Sequence, residues 1–167
     1  MRSYDDIDNS RINYVILLLI LSVSLILKNS HAWCIGFLPD IPLLIIIFLS
    51  IFHGIIPALY AGLLVGIING VLSLYFLNVN VAIYPIVACI TAFLAEILYK
   101  QQAFVQAALT LLALLIIYLC QSIYLDFHLN NKFNIWIIFS ANWRVIITTV
   151  FFAPYFFQFL NDVQNRD

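Results

Sequence analysis

The chain is poor in charge. Of its 167 residues seven are Lys or Arg and eight are Asp or Glu, so that 9% are charged, where a soluble domain carries about a quarter. This shortage excludes an electrostatic nucleic-acid surface, which needs clustered Lys and Arg, because the basic residues here stand singly and the net charge is -1. Cysteine is scarce too: Cys34, Cys89 and Cys120 lie far apart with no CxxC or metal-ligand spacing, and Cys89 and Cys120 read as small buried apolar residues. His31, His53 and His128 are equally scattered, at segment ends, and build no metal site. The sequence has no GxSxG, no GxxxxGK[ST], no HExxH and no carboxylate cluster of the kind that holds Mg²⁺. Without a nucleophile, a base and an oxyanion donor in one pattern, a non-catalytic protein with no cofactor and no metal is expected.

Apolar sequence takes the place of charge. Hydrophobic residues make up 65% of the chain and the mean hydropathy is +1.06, which places it among integral membrane proteins. A hydrocarbon core about 30 Å thick needs roughly 20 helical residues, and cutting the chain on that length predicts an all-α polytopic protein with six segments: 12–27, 40–53, 54–77, 79–99, 103–125 and 135–160. These form a single transmembrane domain over 12–160, between cytoplasmic tails 1–11 and 161–167. The acidic opening MRSYDDIDNSRIN, with no small-residue cleavage site after the first apolar run, argues against a removable signal peptide. The segment 40–53 offers about 20 Å of helix, short for a full crossing; Asp40 suits its N-cap and Pro42 its first turn. Placing both termini inside puts Arg2, Arg11, Lys100 and Arg166 on the cytoplasmic side, against Lys28 and Lys132 outside.

Glycine is the third scarcity, with five in the chain, yet four of them fall in HGIIPALYAGLLVGIING, residues 53–70. Gly54, Ala58, Gly62, Gly66 and Gly70 recur at every fourth position. In water each interior Gly costs a helix about 1 kcal/mol relative to Ala, but lipid tails are as apolar as Leu, so helices in a bilayer associate by close packing and small residues let two backbones approach. A spacing of four drifts about 40° per step around the helix, a slanted groove suited to a right-handed crossing. Two roles fit the stripe: packing within this chain, or a groove for a partner's helix.

The polar residues inside the apolar segments form a second set of candidates. Arg144 lies about a third of the way into the last segment, where a charge costs at least about 2.5 kcal/mol on insertion scales. In the inside-termini topology Asp40, Asn69 and Asp126 share its outer half, so an intramembrane cluster of Asp40, Asn69, Asp126 and Arg144 is expected, with Asp126 or Asp40 pairing Arg144. The alternatives are a structural ion pair and a snorkelling Arg144. Glu96 and Lys100, an i,i+4 pair at an inner segment end, read as a solvated face.

The order of these features resembles the bacterial rod shape-determining MreD family. The residues that carry the resemblance are Leu38-Pro39-Asp40, then His53-Gly54, Ala61-Gly62, Gly66 and Gly70-Val71-Leu72-Ser73, then Phe152-Ala153-Pro154-Tyr155 with Leu160. Two departures stand out: Asn69 occupies a position where that family often has an acidic residue, and the C-terminal tail lacks a basic cluster. The resemblance implies a scaffold subunit of the cell-elongation, peptidoglycan-synthesising complex in the bacterial cytoplasmic membrane. It would work beside MreC, the actin-like MreB, and RodA with its penicillin-binding transpeptidase, docking the single membrane helix of an MreC-like protein. The family is similar in architecture to the substrate-binding subunits of energy-coupling-factor vitamin transporters, which supplies a second expectation. A scaffold predicts packed helices and no sizeable polar pocket; a solute-binding subunit predicts a cavity of about 300 Å³ or more, with Trp33, Asn69, Asp126, Trp143 and Arg144 as candidate lining. Against the second, the first segment offers Ser22 and Ser24 where such subunits carry an AxxxA-type docking motif.

Overall fold

A computed structural model describes residues 39–73, 77–98, 102–129 and 135–164. Among these the regular structure is entirely helical: α1 (Ile41–Phe52), α2 (Ile55–Leu72), α3 (Leu77–Ile97), α4 (Ala103–Leu129) and α5 (Ile135–Gln164). Helices α2 to α5 are each long and apolar enough to cross a membrane, and α1 is a shorter apolar helix. The predicted segment 12–27, Trp33 and the tail 1–11 lie outside the described residues. The predicted segment 54–77 is helical only to Leu72, where Ser73 takes an extended conformation and its N–H returns to the Asn69 carbonyl.

The short helix is the centre of the bundle. Its sequence, IPLLIIIFLSIF, is apolar all round, and Pro42 through Ile51 are buried on every face, as expected of a helix with no polar stripe. All four longer helices contact it. Phe48, fully buried, sets its ring 4.9 Å from Phe52 and 6.0 Å from Phe157 of α5. Ser50 is the one hydroxyl in this helix, and it is satisfied twice: its Oγ lies 2.9 Å from the Ile46 carbonyl and 3.2 Å from the Ala88 carbonyl of α3. Asp40 caps the N-terminus, its carboxylate accepting from the Leu43 N–H at 3.5 Å, while its own N–H donates to Thr149 Oγ1 of α5 at 2.9 Å.

Gly54 follows as the hinge into α2. Its φ of +89° is in the left-handed region that a side chain disfavours, and no neighbour crowds the place of a Cβ. The next two glycines have the opposite reason. A Cβ at Gly62 would come within 3.0 Å of the Tyr84 carbonyl and 3.1 Å of Pro85 Cα; one at Gly66 would come within 2.7 Å of the Asn80 carbonyl. Backbone thus meets backbone along α2 and α3, the most extensive helix pair in the bundle.

The outward faces are as apolar as the core. Phe104 is 82% exposed, Phe93 64% and Phe151 71%, together with Ile56, Val71 and Phe159. Faces of this size covered in large apolar side chains belong against lipid rather than water. Several hydroxyls in the spans bond back into their own helix: Thr91 to the Val87 carbonyl, Thr110 to Gln106 and Thr148 to Arg144.

Candidate functional site

Helix α1 runs about 18 Å at 1.5 Å per residue, whereas its neighbours have 18 to 30 residues. It therefore stops short inside the bundle, and at its Asp40 end lies a polar cavity of about 350 Å³. The C-terminal end of α2 contributes Asn69, Leu72 and Ser73; the first half of α3 gives Asn80 and Tyr84; the middle of α4 gives Leu114, Ile117, Tyr118 and Gln121; and α5 gives Asn142.

A relay of hydrogen bonds ties three helices together along this wall. Gln121 Nε2 of α4 donates to Asn80 Oδ1 of α3 at 3.1 Å, and Asn80 Nδ2 donates to Ser73 Oγ at 3.2 Å. Ser73 Oγ donates in turn to the Asn69 carbonyl of α2 at 2.7 Å. Asn69 Nδ2 donates to Tyr84 Oη at 3.1 Å. Asn80 and Tyr84 are 4% and 3% exposed, so both are fixed by their packing. In an apolar surrounding such a network rigidifies the helices that carry it, because each member would be costly to leave without a partner.

The expected intramembrane cluster is divided. Asp40, buried, and Asn69 do line one cavity. Asp126 and Arg144 are exposed and are not among its described lining residues; the Arg144 guanidinium lies 5.6 Å from the ring centroid of Trp143, a cation–π distance. Asp126 lies near the C-terminal end of α4 and Arg144 in the first half of α5, both at exposed positions. Sequence reasoning missed Ser73, Asn80, Tyr84, Tyr118, Gln121 and Asn142. A signal for most of them exists: Asn69 with Ser73, and Asn80 with Tyr84, are i,i+4 pairs, and Tyr118 with Gln121 an i,i+3 pair, each sharing one helix face. The cavity also departs from the scaffold expectation of no sizeable polar pocket.

The small-residue stripe lies elsewhere. Ala58, Gly62, Gly66 and Gly70 are all buried, and α3 already fills the groove at Gly62 and Gly66. Gly54 stands outside it, as the N-cap of α2. An accessible groove is on another face, between α4 and α5: about 600 Å³, lined by Ala103, Ala107 and Leu111 of α4 and by Ile147, Phe151 and Pro154 of α5. Among the described residues no group of three or more His, Cys, Asp or Glu side chains could hold a metal ion. Compared with protein-family models, curated proteins and solved structures, the chain matches none.

Proposed function

We propose that this chain is a non-catalytic, multi-pass scaffold of the bacterial cytoplasmic membrane, serving the cell-elongation complex as its resemblance to the MreD family implies. The observation that carries the reading is the groove between α4 and α5. Ala103 and Ala107 are four residues apart and face Pro154 across it, the small-residue spacing that admits a neighbouring backbone. Its lining is apolar apart from Gln158 and the Tyr155 hydroxyl, which suits a transmembrane helix such as that of an MreC-like bitopic protein. At Gly62 and Gly66 the glycine stripe of α2 is already occupied by α3, which leaves the groove between α4 and α5 as the better docking face. MreB and RodA with its transpeptidase would be reached through that partner or beside it.

The test is a photoreactive residue placed at Ala107 or Leu111, with Phe93 on α3 as the control. The scaffold reading expects a cross-link to a bitopic MreC-like protein from the α4 positions and none from Phe93. Cross-linking to ATPase subunits, or to nothing from α4, sinks it. One observation favours a second reading, a solute-binding membrane subunit of an energy-coupling-factor type vitamin transporter: the polar cavity at the Asp40 end, whose volume passes the threshold of about 300 Å³ for small-molecule sites.

A further inference from the structure

The carboxamides of that cavity have more hydrogen-bonding capacity than their network uses. A carboxamide oxygen has two lone pairs and its nitrogen two N–H groups. Asn69 and Gln121 each use one N–H, toward Tyr84 Oη and Asn80 Oδ1 respectively. Their oxygens, Asn69 Oδ1 and Gln121 Oε1, accept no hydrogen bond from any described residue. Ser73 Oγ, by contrast, is used both ways, accepting from Asn80 and donating to the Asn69 carbonyl. Two acceptors, and one N–H on each of the same carboxamides, are thus left over in a cavity whose wall is otherwise tied together by its own network.

The charge and shape of the lining narrow what would satisfy them. No Lys, Arg or His occurs among the described lining residues, and Asp40 is the one carboxylate, so an anion would be desolvated with no counter-charge. Leu72, Leu114 and Ile117 add apolar lining beside the hydroxyl and carboxamide groups. The volume of about 350 Å³ is at the small end for ligand sites.

We propose that this cavity is a binding site for a small uncharged solute whose O–H or N–H donors meet Asn69 Oδ1 and Gln121 Oε1, with its apolar side against Leu114 and Ile117. The inference deepens the solute-binding reading by naming the ligand class, and it holds whether or not a partner helix docks at α4 and α5. A purified protein without ATPase subunits removes the transporter reading alone; the site fails only on a binding measurement.

That measurement is the thermal midpoint of the full chain in mild detergent, titrated with glycerol, myo-inositol and nicotinamide as uncharged probes and with citrate as the anionic one. At least one uncharged probe should raise the midpoint saturably while citrate does not. Gln121→Met, which keeps the length of the side chain and removes its polar head, should weaken the half-saturation point by about tenfold. Where Gln121→Met does not fold, Ile117→Phe narrows the cavity from its apolar wall and should have the same effect. No saturable response to any uncharged probe, a saturable response to citrate, or an unchanged half-saturation point in the folded variant would each overturn the proposal; the first of these leaves a cavity filled by water.

Discussion

Changing Gly66 to Ala sets two effects of opposite sign against each other. Helix propensity favours Ala by about 1 kcal/mol. Packing opposes it: the new methyl would lie 2.7 Å from the Asn80 carbonyl oxygen and 3.1 Å from Val81 Cα, both backbone atoms that no rotamer change can move. Relieving that contact requires α2 and α3 to separate by several tenths of an ångström along their whole shared face, and overpacking of this kind costs about 1–3 kcal/mol. The nearness of the contact puts Gly66 in the upper part of that range, so a net loss of about 1–2 kcal/mol remains. For a chain of this size each kcal/mol lowers the midpoint by about 2–4 °C, giving a drop of about 2–8 °C. Gly62→Ala, whose nearest contacts are 3.0 and 3.1 Å, should fall less. The assay is thermal unfolding of the full chain in mild detergent, followed by circular dichroism, with both variants and the wild type in one series. A Gly66→Ala midpoint equal to or above the wild type would refute the reasoning, because propensity would then have outweighed the backbone contact. A second signature follows from geometry: Asn80 also holds Ser73 and Gln121, so Gly66→Ala should loosen the polar wall of the cavity as well as the helix pair.

The other predictions concern the centre of the bundle. Phe48→Ala removes a fully buried ring from contact with Phe52 and Phe157 and should cost about 3–5 kcal/mol, read as a large loss of midpoint or of folded yield. Thr149→Val is nearly isosteric but strands the Asp40 N–H that Thr149 accepts, for an expected loss of about 1–3 kcal/mol in denaturant titrations. Ser50→Ala removes one donor shared between the Ile46 and Ala88 carbonyls and strands none, so its loss should be smaller, about 0.5–1.5 kcal/mol on the same assay.

Helix type and approximate position were legible in the sequence because apolar runs bounded by polar residues leave few alternatives in a bilayer. The start of α1 was legible for a local reason: Asp40 and Pro42 suit a helix N-terminus whatever surrounds them. The role of α1 was not. Whether the neighbours of an isoleucine are lipid or protein leaves no mark on an all-apolar segment, so IPLLIIIFLSIF reads alike as a tilted span and as a buried post. The glycine stripe revealed close packing without naming the partner surface, because Gly62 and Gly66 accommodate any backbone, and which helix meets them is decided by tertiary packing. The polar site was half legible. Asp40 and Asn69 are conspicuous, but neutral Asn80, Tyr84 and Gln121 carry no charge to attract notice, and Arg144 attracted notice while turning outward beside Trp143.

The buried position of α1 has a consequence for how the protein comes into being. Every described helix that covers it is encoded downstream, so during vectorial synthesis α1 emerges before any of them exists. Its Asp40 N–H meets Thr149 across 109 positions of sequence, an interval of about 5–20 s at ordinary translation rates. For that time a helix too short to span the hydrocarbon core must lodge in lipid or in the insertion machinery, with its polar N-terminus provisionally satisfied. Completion of α5 is therefore the event that seals the centre, and a chain arrested before Thr149 should remain a substrate for membrane quality control.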